Sequence, residues 1–156
     1  MPPLVVECQT GLLSLTMHIT FRRERLSDSD QAVVAAGFHA HADEQSAPQY
    51  RKEHAHWTVT DDNDATLAVL TSDILWDWLY IDELWVSPDR RGSGLGRQLI
   101  EEAEVFARKE GLQGIWLWTQ SWQAEGFYTE LGYEEFTRFD HFPRGYSRIG
   151  FRKTLS

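Results

Sequence analysis

Cysteine is nearly absent: Cys8 is the single one in 156 residues. One thiol excludes an intrachain disulfide framework and a zinc site built on several cysteines. It fits a reducing compartment, so a cytoplasmic location is expected. Long apolar runs are missing too. No stretch of about 18 apolar residues occurs, and no membrane span or membrane partner is expected. Positive charge is in deficit, with 15 Lys and Arg against 24 Asp and Glu, a formal net charge of −9. Such a chain is poorly suited to gripping a phosphate backbone, so no nucleic-acid partner is expected, whereas small cations are attracted to it. Internal repeats, low-complexity tracts and Pro/Gly/Ser linkers are also lacking, which points to one domain.

What is present is enough to bury a core without metals or disulfides. Residues 1–16 lack the form of a secretory signal: the apolar stretch at 12–15 is short, and Glu7 stands where a basic segment is needed. They are read as an extension of unknown role ahead of a single domain over residues 17–156. Apolar periodicity predicts strands at 18–23, 57–60, 66–70, 78–87, 114–119, 133–139 and 147–154. It predicts helices from Asp28 onward, at 94–110 and at 122–131, with residues 39–51 ambiguous around Pro48. This order is an α/β pattern, helices on a mixed central sheet of about six to seven strands.

Chemistry concentrates in residues 80–97, which run strand, glycine-rich turn, helix. Gly92, Gly94 and Gly96 allow positive φ and close approach to a ligand. The free N–H groups of the helix start, with its dipole, then form an anion site suited to a pyrophosphate. Arg90, Arg91 and Arg97 add positive charge. A P-loop needs Lys and then Ser or Thr after the last glycine, but Arg97 and Gln98 follow Gly96. The dinucleotide spacing G-x-G-x-x-G is not met either.

Arg91-Gly92-Ser93-Gly94-Leu95-Gly96 resembles the R/Q-x-x-G-x-G/A signature of the GNAT superfamily of acetyl-CoA-dependent N-acetyltransferases. Leu84-Trp85-Val86-Ser87-Pro88 resembles the strand end that precedes it. Phe127-Tyr128-Thr129-Glu130-Leu131-Gly132-Tyr133 resembles the family's short downstream helix. The resemblance covers roughly residues 19–155. It implies a splay between the fourth and fifth strands of the sheet, into which the pantetheine arm of acetyl-CoA inserts. Leu84, Trp85 and Val86 match the arm-binding stretch, and Arg91, Gly92, Ser93, Gly94, Leu95, Gly96 and Arg97 match the pyrophosphate turn. The family's asparagine upstream of the tyrosine falls near Ser121, a departure. Acetyl-CoA is the implied cosubstrate, an amine the acceptor, and a homodimer the implied assembly.

The resemblance makes Tyr128 the group that protonates the leaving thiolate. A phenol of pKa about 10 can donate to a sulfur whose thiol has a pKa near 8.5. An acceptor amine of pKa about 10.4 must lose a proton before it attacks. Strict alternation predicts Tyr80, Asp82 and Leu84 on one face of the strand and Ile81, Glu83 and Trp85 on the other. Family bases share the Tyr80 and Leu84 face, which favours Asp82 ahead of Glu83. A carboxylate that only binds the ammonium is the alternative.

Core packing is the ordinary use of each of the seven tryptophans. An aromatic wall for the acceptor is the alternative, best suited to Trp76 and Trp78, with Tyr80 beside them. His39-Ala40-His41 and His54-Ala55-His56 have the spacing of strand zinc ligands, but the first pair falls at a predicted helix end, and no metal is expected. Glu101, Glu102, Glu104 and Glu110 are read as a solvated helix face. The expected activity is acetyl transfer to a small cationic amine in a ternary complex. Protein N-terminal or lysine acetylation, and a non-catalytic acyl-CoA-binding module, are the alternatives.

Overall fold

The computed structural model describes residues 4–10 and 13–155. They form two compact units, the second beginning at Ala47. In the first unit, β1 (Leu4–Thr10) and β2 (Leu13–Ile19) pair as an antiparallel hairpin. The strand expected at 18–23 therefore lies earlier in the chain, and β2 runs across the boundary expected between residues 16 and 17. Helix α1 (Asp28–Glu44) is continuous through the ambiguous stretch up to Glu44. Ser27 caps it by accepting from the Asp30 N–H at 3.2 Å, and Asp28 and Asp30 complement the positive end of the helix dipole.

The second unit is a six-stranded sheet. Its strands are β3 (Lys52–Thr60), β4 (Thr66–Leu75), β5 (Trp78–Val86), β6 (Gly114–Gln120), β7 (Glu134–Asp140) and β8 (Ser147–Thr154), in the order β3-β4-β5-β6-β8-β7. The β3–β4 turn is built by Asp61, whose Oδ1 accepts from the Asn63 and Ala65 N–H groups, both at 2.9 Å. All neighbours are antiparallel except β5 and β6, which the helix α2 (Leu95–Lys109) connects.

Leu99, Ile100, Ala103 and Ala107 of α2 repeat at helical spacing and are buried with Leu79, Ile81, Ile115 and Leu117 of the sheet. Glu104 corrects the expectation of a wholly solvated acidic face. It sits beside Ala103 on the edge of the apolar stripe, is 7% exposed, and accepts from Lys153 Nζ at 2.7 Å and Arg108 at 3.3 Å. Burial there is tolerated because the carboxylate is paired.

Candidate active site

The parallel ladder between β5 and β6 is short. It runs from Trp78 opposite Gly114 to Ile81 opposite Leu117, then stops. Beyond it, residues 82–86 remain in β5, and Trp118, Thr119 and Gln120 remain in β6, with no ladder joining them. This is the splay expected between the fourth and fifth strands, which are β5 and β6 here because the β1–β2 hairpin adds one strand to the count. Main-chain groups along the inner edge of residues 82–86 face a cleft rather than a neighbouring strand, and a ligand able to hydrogen-bond like a strand can satisfy them.

A bulge coincides with the point of divergence. Ser72 lies opposite Ile81 and Thr71 opposite Glu83, so Asp82 is the extra residue. The Glu83 N–H donates to Thr71 Oγ1 at 3.1 Å. The extra residue resets the alternation. Leu70 lies opposite Leu84 and Ser72 opposite Ile81, so Leu84 shares the face of Ile81. Tyr80, opposite Asp73, shares its face with Glu83, opposite Thr71. The expected grouping of Tyr80, Asp82 and Leu84 on one face is thus corrected: Tyr80 and Leu84 point to opposite sides.

The cleft has a volume of about 1340 Å³. That exceeds a pocket for one drug-sized ligand and leaves room for a long cosubstrate plus an acceptor. At one end lies the glycine turn. A short 3-10 turn (Pro88–Arg90) leads into it, and Gly92 and Gly94 adopt φ of 73° and 91°. Gly94 is the N-cap of α2, and no side chain caps the helix start. The first N–H groups of α2 therefore lack an intrahelical partner and face outward with the positive end of the dipole. Gly96 departs from the expectation of positive φ and is an ordinary residue of the first helical turn, packed near Phe127 and Val86.

Tyr128, on the short helix α3 (Glu125–Glu130), also lines the cleft. Its ring packs against Phe127, Tyr133 and Phe151 at centroid distances of 5.1, 6.0 and 5.8 Å. It is 6% exposed, and burial pushes its phenol up to about 12.

Most of the expected residues meet in this cleft: Asp82, Glu83, Leu84, Trp85, Val86, Arg91, Gly92, Gly94, Leu95, Gly96, Arg97 and Tyr128 all line it. Others do not. Ser93 Oγ donates to the Arg90 carbonyl at 2.6 Å and braces the turn. Ser121 Oγ accepts from the Ser147 N–H at 3.1 Å and ties β6 to β8. Trp76 belongs to the β4–β5 turn, with Tyr50 edge-on at 4.7 Å and its Nε1 donating to the Pro48 carbonyl at 3.3 Å. Trp78 covers Gly114 so closely that a Cβ there would meet its ring at 2.4 Å. Both tryptophans lie at the paired end of β5, away from the splay. Sequence reasoning assigned no site role to Trp118 and Phe127, which line the cleft. Their signal was their position, one just past the last paired residue of β6 and the other beside Tyr128.

A second recess of about 350 Å³ shares Asp82 with the cleft and is lined by Lys52, His54, His56 and Asp73, among others. Asp73 binds His54 Nδ1, and Lys52 Nζ at 3.1 Å. Burial pushes the Asp73 carboxyl up, but those two partners outweigh it and hold the group below the usual carboxylate range. Among the described residues, no group of three or more His, Cys, Asp or Glu has the arrangement of a metal site, and no helix is long and apolar enough to cross a membrane.

A mixed sheet that parts over an uncapped helix start, with a buried phenol lining the opening, is an architecture suited to acyl transfer. The match to the acetyltransferase (GNAT) family model, over residues 21–133, makes it specific: the chain belongs to that family. Blasticidin-S acetyltransferase of Streptomyces morookaense is 42% identical over 77 residues, covering 49% of this chain and 57% of that protein. The chain spans at most 60% of the length of the three curated relatives compared. The crystal structure of an acetyltransferase from Bacillus cereus ATCC 14579 superposes with a TM-score of 0.75 at 25% identity, covering 86% of this chain and 98% of that one. A Bacillus anthracis structure, solved in complex with acetyl coenzyme A, shares the fold with a TM-score of 0.60 at 14% identity, covering 99% and 86%. The family's acetyl donor is acetyl-CoA, and the cleft fits it. Free main-chain groups on β5 suit an amide-bearing arm, and the uncapped α2 start with Arg91 and Arg97 suits a pyrophosphate.

Proposed function

We propose that this chain is an N-acetyltransferase that moves the acetyl group of acetyl-CoA to a primary amine on a small molecule, by direct transfer in a ternary complex. One observation carries the reading: the β5–β6 ladder ends at Ile81, and the Asp82 and Glu83 carboxylates, the Tyr128 phenol and the uncapped start of α2 all line the opening beyond it. Acetyl-CoA, when bound, supplies a thioester carbon open to attack by an amine.

The residues of the chain divide the remaining work. Asp82 is the bulged residue at the mouth of the splay, and Glu83 follows it. Asp82 takes the ammonium proton. The second proton, shed by nitrogen as the amide forms, goes to the departing CoA thiolate. Glu83 supplies negative charge that holds the ammonium in place. At neutral pH only about one amine in two thousand is otherwise ready to attack. Tyr128 stays a neutral phenol because burial holds its pKa at about 12. Tyr128 Oη therefore acts by donating a hydrogen bond to the sulfur as charge builds there. Its contribution is smallest in the ground state and largest in the transition state, which is what raises turnover.

A cytoplasmic location and a homodimer belong to the same proposal. They rest on the single cysteine and on the family resemblance, and fractionation and light scattering read them. Thermal melting with acetyl-CoA, followed by an amine panel read by release of the CoA thiol, tests the activity. Acetyl-CoA at about 100 times its dissociation constant should add roughly 2.7 kcal/mol of stability. No shift at millimolar acetyl-CoA would remove the reading.

A further inference from the structure

The face of the sheet that carries Tyr80 and Glu83 continues across the splay onto β6 and β8. Trp116 lies opposite Tyr80, with rings 4.5 Å apart, and Trp118 follows on the same face. Trp118 lines the cleft and stacks on Phe139 at 5.6 Å. Above it lies Arg148, its guanidinium carbon 5.1 Å from the Trp118 ring and 5.6 Å from the Phe142 ring.

Arg148 is unusual in this chain. Three cationic side chains belong to partly buried residues among those described: Arg51, Arg148 and Lys153. Arg51 pairs with Glu53 at 2.7 Å, and Lys153 pairs with Glu104 at 2.7 Å. Arg148 makes no ion pair among the described residues, although acids outnumber bases by 24 to 15. A guanidinium partly withdrawn from water and flattened between two rings keeps its donor edge free for a planar anion. Tyr80 links it to the reaction centre. Arg148's platform, Trp118, stands two residues along β6 from Trp116, whose ring lies 4.5 Å from Tyr80, and Tyr80 shares its face with Glu83. Burial and Asp82 push the Tyr80 phenol up, and Arg148 pulls it down.

We propose that Arg148, on its Trp118–Phe142 platform, binds a carboxylate carried by the acceptor, so that the acceptor is an amino acid whose amine is held at Asp82 and Glu83. The inference rests on the acetyltransferase reading and names its substrate class. A carboxylate is favoured over a phosphate because, with Lys52 tied to Asp73 at 3.1 Å, the site offers one partly buried guanidinium and one phenol close to Asp82, Glu83 and Asp73. A second negative charge on the ligand would be repelled by them at short range.

The test compares acceptors that differ only in the anion. Gamma-aminobutyrate and its carboxamide carry amines of nearly equal basicity. The wild-type enzyme should acetylate the acid with a kcat/KM about 10- to 100-fold higher than the amide. Arg148→Gln should bring that ratio close to one, mainly through KM, while the melting shift with acetyl-CoA is kept. Arg148→Lys should retain part of the preference. Equal use of acid and amide by the wild type, or an unchanged ratio in Arg148→Gln, would overturn the proposal. A preference for phosphoethanolamine over gamma-aminobutyrate would overturn the carboxylate assignment. If no acceptor turns over, the acetyltransferase reading fails first, and calorimetric titration of the CoA-loaded protein with gamma-aminobutyrate decides the site. Binding lost in Arg148→Gln sustains it, and equal heats in both proteins, or none in either, refute it.

Discussion

The two halves of β5 have nearly the same length but different duties. From Trp78 to Ile81 the strand is paired on both sides, and its residues serve mainly the fold. Leu79 and Ile81 are buried, and Trp78 lies on Gly114. From Asp82 to Val86 it keeps its ladder with β4 but loses the one with β6, and its residues line a cleft. A single bulged residue marks the change. Binding capacity here comes from withholding one ladder of hydrogen bonds, and only a ligand with its own donors and acceptors restores them.

The comparison is broken most severely at the open half. Tyr128→Phe keeps the ring packing and removes the donor, so kcat should fall about 100- to 1000-fold, with KM for acetyl-CoA nearly constant. Steady-state kinetics at saturating amine check this. Asp82→Asn should lower kcat/KM for the amine by roughly 10- to 100-fold. Its activity should recover at higher pH, where more amine is neutral. Equal losses in Asp82→Asn and Glu83→Gln would place the effect in ammonium binding rather than in proton removal.

A smaller loss is expected where the open half meets the glycine turn. Gly94→Ala forces a Cβ into a left-handed conformation, at a cost of about 1–2 kcal/mol. Calorimetry should show acetyl-CoA binding weakened about tenfold. The paired half responds differently. In Gly114→Ala the new methyl meets the Trp78 ring and the Lys153 carbonyl, at a cost of about 1–3 kcal/mol of stability. Melting should fall by several degrees, while kcat per folded molecule changes little.

The pH profile sharpens the account without a mutation. Tyr128 acts as a protonated group and is lost as pH rises through its folded pKa, about 12. The kcat profile should therefore rise with amine deprotonation and show no descending limb below about pH 11. A descending limb centred near pH 9 that disappears in Tyr128→Phe would contradict the burial of that phenol.

Much of this was legible in the sequence because it depends on local chemistry. Glycines at 92 and 94, arginines at 91 and 97, and the apolar stripe of α2 announce a strand-turn-helix with an anion site at its start. The splay was read from a resemblance, since no periodicity records which ladder a strand lacks. The bulge at Asp82 was not legible. It depends on the register against Thr71 and Ser72, and it reverses the face of every later residue in β5. Trp76 and Trp78 illustrate the same limit. Four and two residues before the reactive stretch in sequence, they lie at the paired end, where the turn and Gly114 occupy them. Arg148 was missed because its freedom from acids is visible only once every other partly buried cation has been matched to its partner.

Amide hydrogen exchange with and without acetyl-CoA tests the central claim most directly, because it reads the two halves of β5 in one experiment. Residues 82–86 and 92–97 should gain protection on binding, and residues 78–81, already paired on both sides, should not change. Unaltered exchange over residues 82–86 in a protein saturated with acetyl-CoA would contradict the account.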